Sequence, residues 1–518
     1  MKRVVPARGF WLLAVSLVLA GGGARAEVRD QVGATLLQAM DSSLDGSGIA
    51  VLQPEVGEMT ATNWQVNPSV LGQASAALTY SASTGSTNRF PNALGASSGH
   101  AGGVAGIFHS IAAGAPRVDN CEAIYFYSQI VTFSATNFAD SLANQSFTFG
   151  NVTAVAQTNI DWNYDNYASQ FNTLFVSAAN NSGAVSPPAT SYNGLGVGAY
   201  GGSSSVGPTI DCGRAKPDLT APGGATSFST PLVTGAAALL RQAGLRGDGG
   251  SDTNAAVDMR VIKALLLNGA IKPADWTNQV PSPLDPRYGA GVLNVFNAYR
   301  QLAAGKQVCS ALTFSGTNSP HGPAGGRNAL GVFSGWDFNT NSSVVASNGV
   351  NHYYFNLTHG VPGADFTATA TLVWNRHLRK QGINNLDLFL YDAGSGALVA
   401  CSTSRVDNVE HIYLPRLAPG SYDLQVVKLG GPMISATEPY ALAFEFFSTP
   451  LSVAVSAGGT VLTWPVYPDG FTLQAAAGLE SPRVWTALTN FTPVVTNGQN
   501  CVVLPLGEGM QIYRLSRQ

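Results

Sequence analysis

The sequence predicts a three-layer α/β domain with a mainly parallel sheet, followed by an all-β sandwich of jelly-roll type and a small C-terminal β-module. Three observations carry that expectation. Over residues 27–305, apolar strand patterns alternate with helical ones, and such alternation implies parallel strands joined by crossover helices. Over residues 310–450 the helical patterns stop, and short strands separated by turns take over, as in a sandwich. Residues 451–518 hold a smaller set of strand patterns, and no exact repeat links the three zones.

In chain order, the first 26 residues read as a leader. Lys2, Arg3 and Arg8 precede or flank an apolar stretch from Phe10 to Ala20, and Ala24-Arg25-Ala26 forms an A-x-A cleavage site. This predicts a signal peptide cleaved after Ala26 and a secreted or extracytoplasmic product, in the periplasm or at the cell surface. In the first zone, IAVLQPE (49–55), IYFYSQIV (124–131), NTLFVSAAN (172–180) and GLGVGA (194–199) read as strands. VAGIFHSIA (104–112), TPLVTGAAALLRQA (230–243) and MRVIKALLLNGA (259–270) read as helices. FTATATLVW, LDLFLYD, EHIYL, YDLQVV and YALAFEF supply strands of the sandwich, and LSVAVS, TVLTWP, GFTLQAA, CVVLPL and QIYRLS those of the last module.

Composition narrows the function classes. Charged residues make up 11% of the 518-residue chain and the net charge is −3, so there is no basic footprint for nucleic acid. The Phe10–Ala20 stretch is too short to span a bilayer, and no later segment reaches 18 apolar residues. Cys121, Cys212, Cys309, Cys401 and Cys501 are widely spaced, without a C-x-x-C pair. They are poor zinc ligands by spacing, and an odd count leaves at least one unpaired; an oxidising compartment allows one or two disulfides that the sequence does not assign. Nothing in it sets an oligomeric state.

The segment GGATSFSTPLVTGAAALLRQ (223–242) concentrates the chemistry. A helix is expected from near Ser227 to Ala243, with Pro231 tolerated in the first turn and Gly244 as the stop. Ser227 then sits among first-turn N–H groups that lack helical acceptors. Such a place suits a nucleophile, because those donors can hold a developing oxyanion. It also suits a plain N-cap serine, and the local pattern does not choose between the two.

KPDLTAPGGATSFSTPLVTGAAALL (216–240) resembles the serine region of subtilisin-like serine peptidases. SSGHAGGVAGI (97–107) resembles that family's histidine block, and FVSAANNSG (175–183) the block ending in its oxyanion-hole asparagine. VIKALLLNGA and RYGAGVLNVFNAY resemble its closing helix and glycine-rich turn. The resemblance runs from about Gly48 to Tyr299. It implies a serine endopeptidase with Ser227 as nucleophile, His100 as base and Asn180 as oxyanion donor, acting on polypeptides without a cofactor. His109, nine residues beyond His100, is about half a helical rotation away and reads as a surface or packed residue. Asn181 reads as a turn residue.

The sequence departs from the family in several places. Ala225 stands where a glycine is usual, Gly103 where a second histidine is usual, and Gly223 runs almost directly into the serine block. The family's S-x-G cleft strand is not recognisable between Tyr125 and Trp162. The family's aspartate is also missing: register puts Gln53 at the end of the first strand. Glu55 shares its face two residues on, with Pro54 expected to end the strand ladder between them. Glu55 is therefore the expected acid, and Glu58, past Gly57, is expected to be solvated. The second reading is a catalytically inactive relative that keeps the fold for binding. In the sandwich, Asp387, Asp392 and Asp407 could bind a structural calcium ion, or serve as turn-forming carboxylates.

Overall fold

A computed structural model describes residues 28–71, 77–132, 140–315, 329–357, 365–448, 451–456, 458–465, 471–477, 484–496, 499–505 and 511–517. The expected signal peptide lies outside the described residues.

The first domain is an α/β unit on an eight-stranded sheet. Its strands lie in the order Leu219–Pro222, Leu195–Tyr200, Leu174–Ala178, Leu142–Gln145, Val51–Glu55, Arg117–Glu122, Ala77–Ala82 and Gly85–Thr87. Every pairing is parallel except the terminal hairpin between the last two. The central strands are buried on both faces, which is why they read as continuous apolar runs.

Two helices carry the serine and histidine blocks and cross each other closely. Gly99–Ile111 and Thr226–Arg246 approach at Gly235, where a β-carbon would lie 2.6 Å from the Ile111 Cβ and 3.2 Å from the Phe108 carbonyl oxygen. Only glycine admits that distance. The serine helix ends at Arg246 rather than at Gly244. Gly247 takes the left-handed cap with φ 88°, while Gly244 stays helical, and its missing side chain makes room for Val257 and Ala256, which a β-carbon would meet at 2.9 and 3.2 Å. Pro231 lies in the second turn of this helix, not the first.

One expected strand is a helix. IYFYSQIV falls within the helix Ala123–Thr132, which buries Ala123, Phe126 and Ile130 and exposes Ile124 and Val131. Its β-branched and aromatic residues favour a strand locally, but tertiary packing of that stripe wins. The 18-residue helix Ala154–Phe171, rich in Asn, Asp and Tyr, has no apolar period to announce it.

Beyond Gly305, two sheets form the sandwich, antiparallel except where Ala329–Leu330 pairs parallel with Asn348–Leu357. Their facing residues, among them Phe355, Leu372, Trp374, Leu388 and Phe444, make one core. The strand Phe366–Trp374 is buried along its whole length. Alternate positions Phe366, Ala368, Ala370, Leu372 and Trp374 enter the sandwich core. Thr369 and Thr371 instead donate to Asn268 Oδ1 of the first domain, both at 2.9 Å. Val373, Val409, Ala441, Ala443 and Trp336 belong to the core of the first domain itself. Two smaller antiparallel sheets close the chain around Leu462, Trp464, Leu473, Val502 and Leu504. All five cysteines are free thiols. Among the described residues, no helix is long and apolar enough to cross a membrane.

Candidate active site

The carboxyl ends of adjacent parallel strands are where an open α/β sheet places its chemistry. Here Glu55 ends Val51–Glu55, Ser146 follows Leu142–Gln145, Asn180 follows Leu174–Ala178, and Ser227 follows Leu219–Pro222.

The expected acid and base are joined directly. Glu55 is buried, and its Oε2 lies 3.1 Å from His100 Nδ1. Gln53 donates from Nε2 to Glu55 Oε1 at 2.8 Å and to the Ala101 carbonyl at 3.0 Å. The strand does not break at Pro54: Pro54 and Glu55 stay in register with Cys121 and Glu122 of the neighbouring strand. Proline costs the ladder one donor there, and the period of two keeps Gln53 and Glu55 on one face.

His100 sits in the first turn of its helix, whose N-cap Ser98 accepts from the Ala101 N–H. Glu58 closes that end. Its Oε2 accepts from Ser98 Oγ at 2.8 Å and from the His100 N–H at 3.1 Å. Glu58 is thus a half-buried helix-terminal carboxylate, not a solvated one. Burial by itself would raise the Glu58 carboxyl, but the His100 and Gly99 backbone bonds, the Ser98 hydroxyl and the His100 charge hold it below its ordinary value. Burial would likewise depress the His100 imidazole. The Glu55 charge and hydrogen bond, with a contribution from Glu58, outweigh it and raise the pKa above its ordinary value. The opposite nitrogen, Nε2, is buried without a hydrogen-bond partner. The ring lies 5.9 Å from that of Phe228, the residue after Ser227.

Ser227 is the second residue of its helix, so it is not the N-cap. Ala225 holds that place with φ −151° and ψ 156°, extended geometry that alanine adopts without strain. The cap bond comes from elsewhere: Asn181 Oδ1 accepts from both the Thr226 N–H and the Thr226 hydroxyl at 2.8 Å. Asn181 is a cap for the serine helix rather than a turn residue alone. The Phe228 and Ser229 N–H groups turn back to the Ala225 carbonyl. The Ser227 N–H has no protein acceptor among the described residues. Ser227 Oγ donates to the Ser146 carbonyl at 3.3 Å, and Ser146 Oγ donates to the Ser227 carbonyl at 2.9 Å. The segment following Leu142–Gln145 therefore borders the serine, although the sequence carries no recognisable S-x-G there.

Asn180 has φ 91°, a left-handed conformation that asparagine tolerates better than most residues. Its carbonyl accepts from the Ser205 N–H at 2.8 Å, and its Oδ1 from the Asn181 N–H at 2.8 Å. Its Nδ2 donates to Ser186 Oγ at 3.3 Å, which leaves the second amide proton for another acceptor. His109 is buried, bonded through Nδ1 to the Ala105 carbonyl at 3.2 Å, and burial lowers its pKa. It packs the helix and stands apart from the serine.

The sandwich carboxylates are bonded separately. Asp407 accepts from Ala215 N–H and Ser404 Oγ, Asp392 closes a turn over Gly394 and Ser395, and Asp387 is bonded to Asn385. Among the described residues, no three His, Cys, Asp or Glu side chains gather so as to hold a metal ion.

Ser146 is the supporting residue that the sequence reading does not name, while Gln53, Glu58 and Asn181 are named there in other roles. Gln53 and Glu58 were visible as polar residues near the expected acid. Ser146 carried no signal beyond following a strand, and Asn181 none for capping the serine helix.

Residues 85–291 match the model of the subtilase family of peptidases. The match begins beyond the strand that carries Glu55. No curated protein matches the chain. Among solved structures, the chain is similar to the PatG macrocyclase in complex with peptide, at 16% identity over 53% of this chain and 97% of that one, TM-score 0.37. It is also similar to tripeptidyl peptidase 2, at 13% identity over 81% of this chain, TM-score 0.33. The chain spans 46% of that peptidase's length. A periplasmic inhibitor of g-type lysozyme from Aeromonas hydrophila is similar at 19% identity over 25% of this chain and 95% of that one, TM-score 0.16. The family match thus places a subtilase-family domain at residues 85–291 of the chain.

Proposed function

We propose that the chain is a serine endopeptidase in which Ser227 attacks the scissile carbonyl, His100 takes its proton and Glu55 serves as the acid of the triad. The observation that carries this reading is the 3.1 Å contact between Glu55 Oε2 and His100 Nδ1, with the opposite ring nitrogen buried and unpartnered. A carboxylate on Nδ1 fixes the tautomer with a free Nε2 and stabilises the imidazolium formed when that atom takes the serine proton. Rotation of Ser227 about χ1 releases its hydroxyl from the Ser146 carbonyl for transfer to His100. Catalytic hydrogen bonds commonly form only in the substrate complex. The Ser227 N–H and the Asn180 amide supply the donors for the tetrahedral oxyanion. The imidazolium of His100 then gives its proton to the leaving amine as the scissile C–N bond breaks, and the acyl-enzyme left on Ser227 is cleaved by water, with His100 again acting as base.

The reading includes polypeptide substrates and export from the cytoplasm, the latter supported by the basic, apolar and A-x-A pattern of residues 1–26. The test is hydrolysis of a quenched fluorescent peptide library. Wild-type protein is expected to cleave internal bonds, and Ser227→Ala to abolish cleavage. Cleavage that persists in Ser227→Ala would refute the assignment.

A further inference from the structure

Pro231 stands four residues after Ser227 inside the serine helix. In an unbroken helix the N–H of residue 231 would donate to the Ser227 carbonyl, and proline has none. That carbonyl would otherwise be an unpaired acceptor in the turn that holds the nucleophile. Ser146 Oγ fills the place, donating to the Ser227 carbonyl at 2.9 Å.

Ser146 is itself held. It is buried, and its Oγ accepts from Asn144 Nδ2 at 3.1 Å. Asn144 Oδ1 accepts in turn from Thr234 Oγ1 at 2.9 Å, one helical turn beyond Pro231. The strand end Asn144–Ser146 is thus fixed to the serine helix on both sides of the gap. The Ser146 carbonyl accepts from the Ser227 hydroxyl at 3.3 Å, so one residue holds both the backbone and the resting side chain of the nucleophile.

We infer that Ser146 is a positioning residue for Ser227, supplying the hydrogen bond that Pro231 withholds. The inference rests on the peptidase reading, and it makes a prediction specific to the gap. Replacing Pro231 by alanine restores a backbone N–H opposite the Ser227 carbonyl and so provides a second way to satisfy it.

The experiment measures kcat, KM and the rate of fluorophosphonate labelling for wild type, Ser146→Ala, Ser146→Cys, Pro231→Ala and the double variant Ser146→Ala/Pro231→Ala, with melting temperature as the check on folding. Loss of one neutral hydrogen bond at the nucleophile turn is expected to lower kcat and the labelling rate about tenfold in Ser146→Ala, with a smaller change in KM. Ser146→Cys, nearly isosteric but a weak donor, is expected to fall in the same direction and stands in if the alanine variant does not fold. Measured against Pro231→Ala, removing Ser146 is expected to cost much less than it does against wild type. A labelling rate within twofold of wild type in a folded Ser146 variant would overturn the inference, as would an equal cost in both backgrounds. Wild type that is not labelled at all would instead overturn the peptidase reading on which the inference stands.

Discussion

Gln53 and Glu55 lie on one face of a single strand, and the Gln53 amide donates to the Glu55 carboxylate at 2.8 Å. The position where the family's aspartate is expected thus holds a neutral group, and the charge stands two residues on, reaching His100 from there. The amide does not replace the acid; it holds it, and its second acceptor, the Ala101 carbonyl, ties the acid to the histidine helix. Gln53→Leu is therefore expected to lower kcat, and less than loss of the charge at Glu55 does. The comparison of kcat for the two variants, both checked for folding by melting temperature, decides it: equal losses would contradict the division of roles.

The pH dependence follows from the two carboxylates around His100. The base must be neutral to accept the serine proton, so kcat/KM falls on the acid side of the His100 pKa. That pKa is raised above its ordinary value chiefly by Glu55, against the opposing effect of burial. The acid limb of kcat/KM is expected above the ordinary imidazole value, and Glu58→Gln is expected to move it to lower pH. An unmoved limb in a folded Glu58→Gln variant would remove Glu58 from this role. The sign for stability is the same group read the other way. A histidine with a raised folded pKa stabilises fully below its unfolded value, and that contribution is lost as pH rises through the folded value.

On the proposed mechanism, Asn180→Ala removes one of two oxyanion donors while the Ser227 N–H remains. The expected loss in kcat is about 10²–10³-fold, with KM little changed. A loss confined to KM would place Asn180 in substrate binding instead.

Much of this site was legible in the sequence, and the parts that were not have identifiable causes. Ser227, His100 and Asn180 stand out because each begins or follows a strongly patterned element. Strand periodicity puts Glu55 on the same face as Gln53, whereas the break at Pro54 that was expected to bring Glu55 toward His100 does not occur, because the strand keeps its register with its neighbour. The bonds of Glu58 to the histidine helix and of Asn181 to the serine helix join residues 40 to 45 positions apart. Ser146 reaches Ser227 across 81 positions. Local pattern carries no trace of such pairs. The helix Ala123–Thr132 was misread because its β-branched and aromatic residues match a strand by propensity, while its burial stripe is set by tertiary contacts.

The boundary near Gly305 marks a change of secondary structure but not of core. Trp336 is buried in the peptidase core and donates from Nε1 to the Leu302 carbonyl at 3.1 Å. Trp336→Ala is expected to destabilise the protein by about 3–5 kcal/mol, measured by urea unfolding. A fragment ending at Gly305 also loses Val373, Val409, Ala441 and Ala443 from that core. It is expected to lack a cooperative unfolding transition, and a fragment that unfolds cooperatively at the stability of the full chain would contradict the shared core.

The central claim is that Ser227 is activated through His100 by Glu55. The most direct measurement is the rate at which a fluorophosphonate modifies Ser227, located by peptide mass spectrometry, in wild type, Glu55→Gln and His100→Ala, each shown to be folded. Glutamine keeps the shape and the acceptor oxygen at position 55 but not the charge that stabilises the imidazolium. The account predicts an adduct on Ser227 in the wild type, formed about 10³–10⁴ times more slowly in Glu55→Gln and comparably slowed in His100→Ala, because base and nucleophile act as a unit. Modification of Glu55→Gln at the wild-type rate would contradict it.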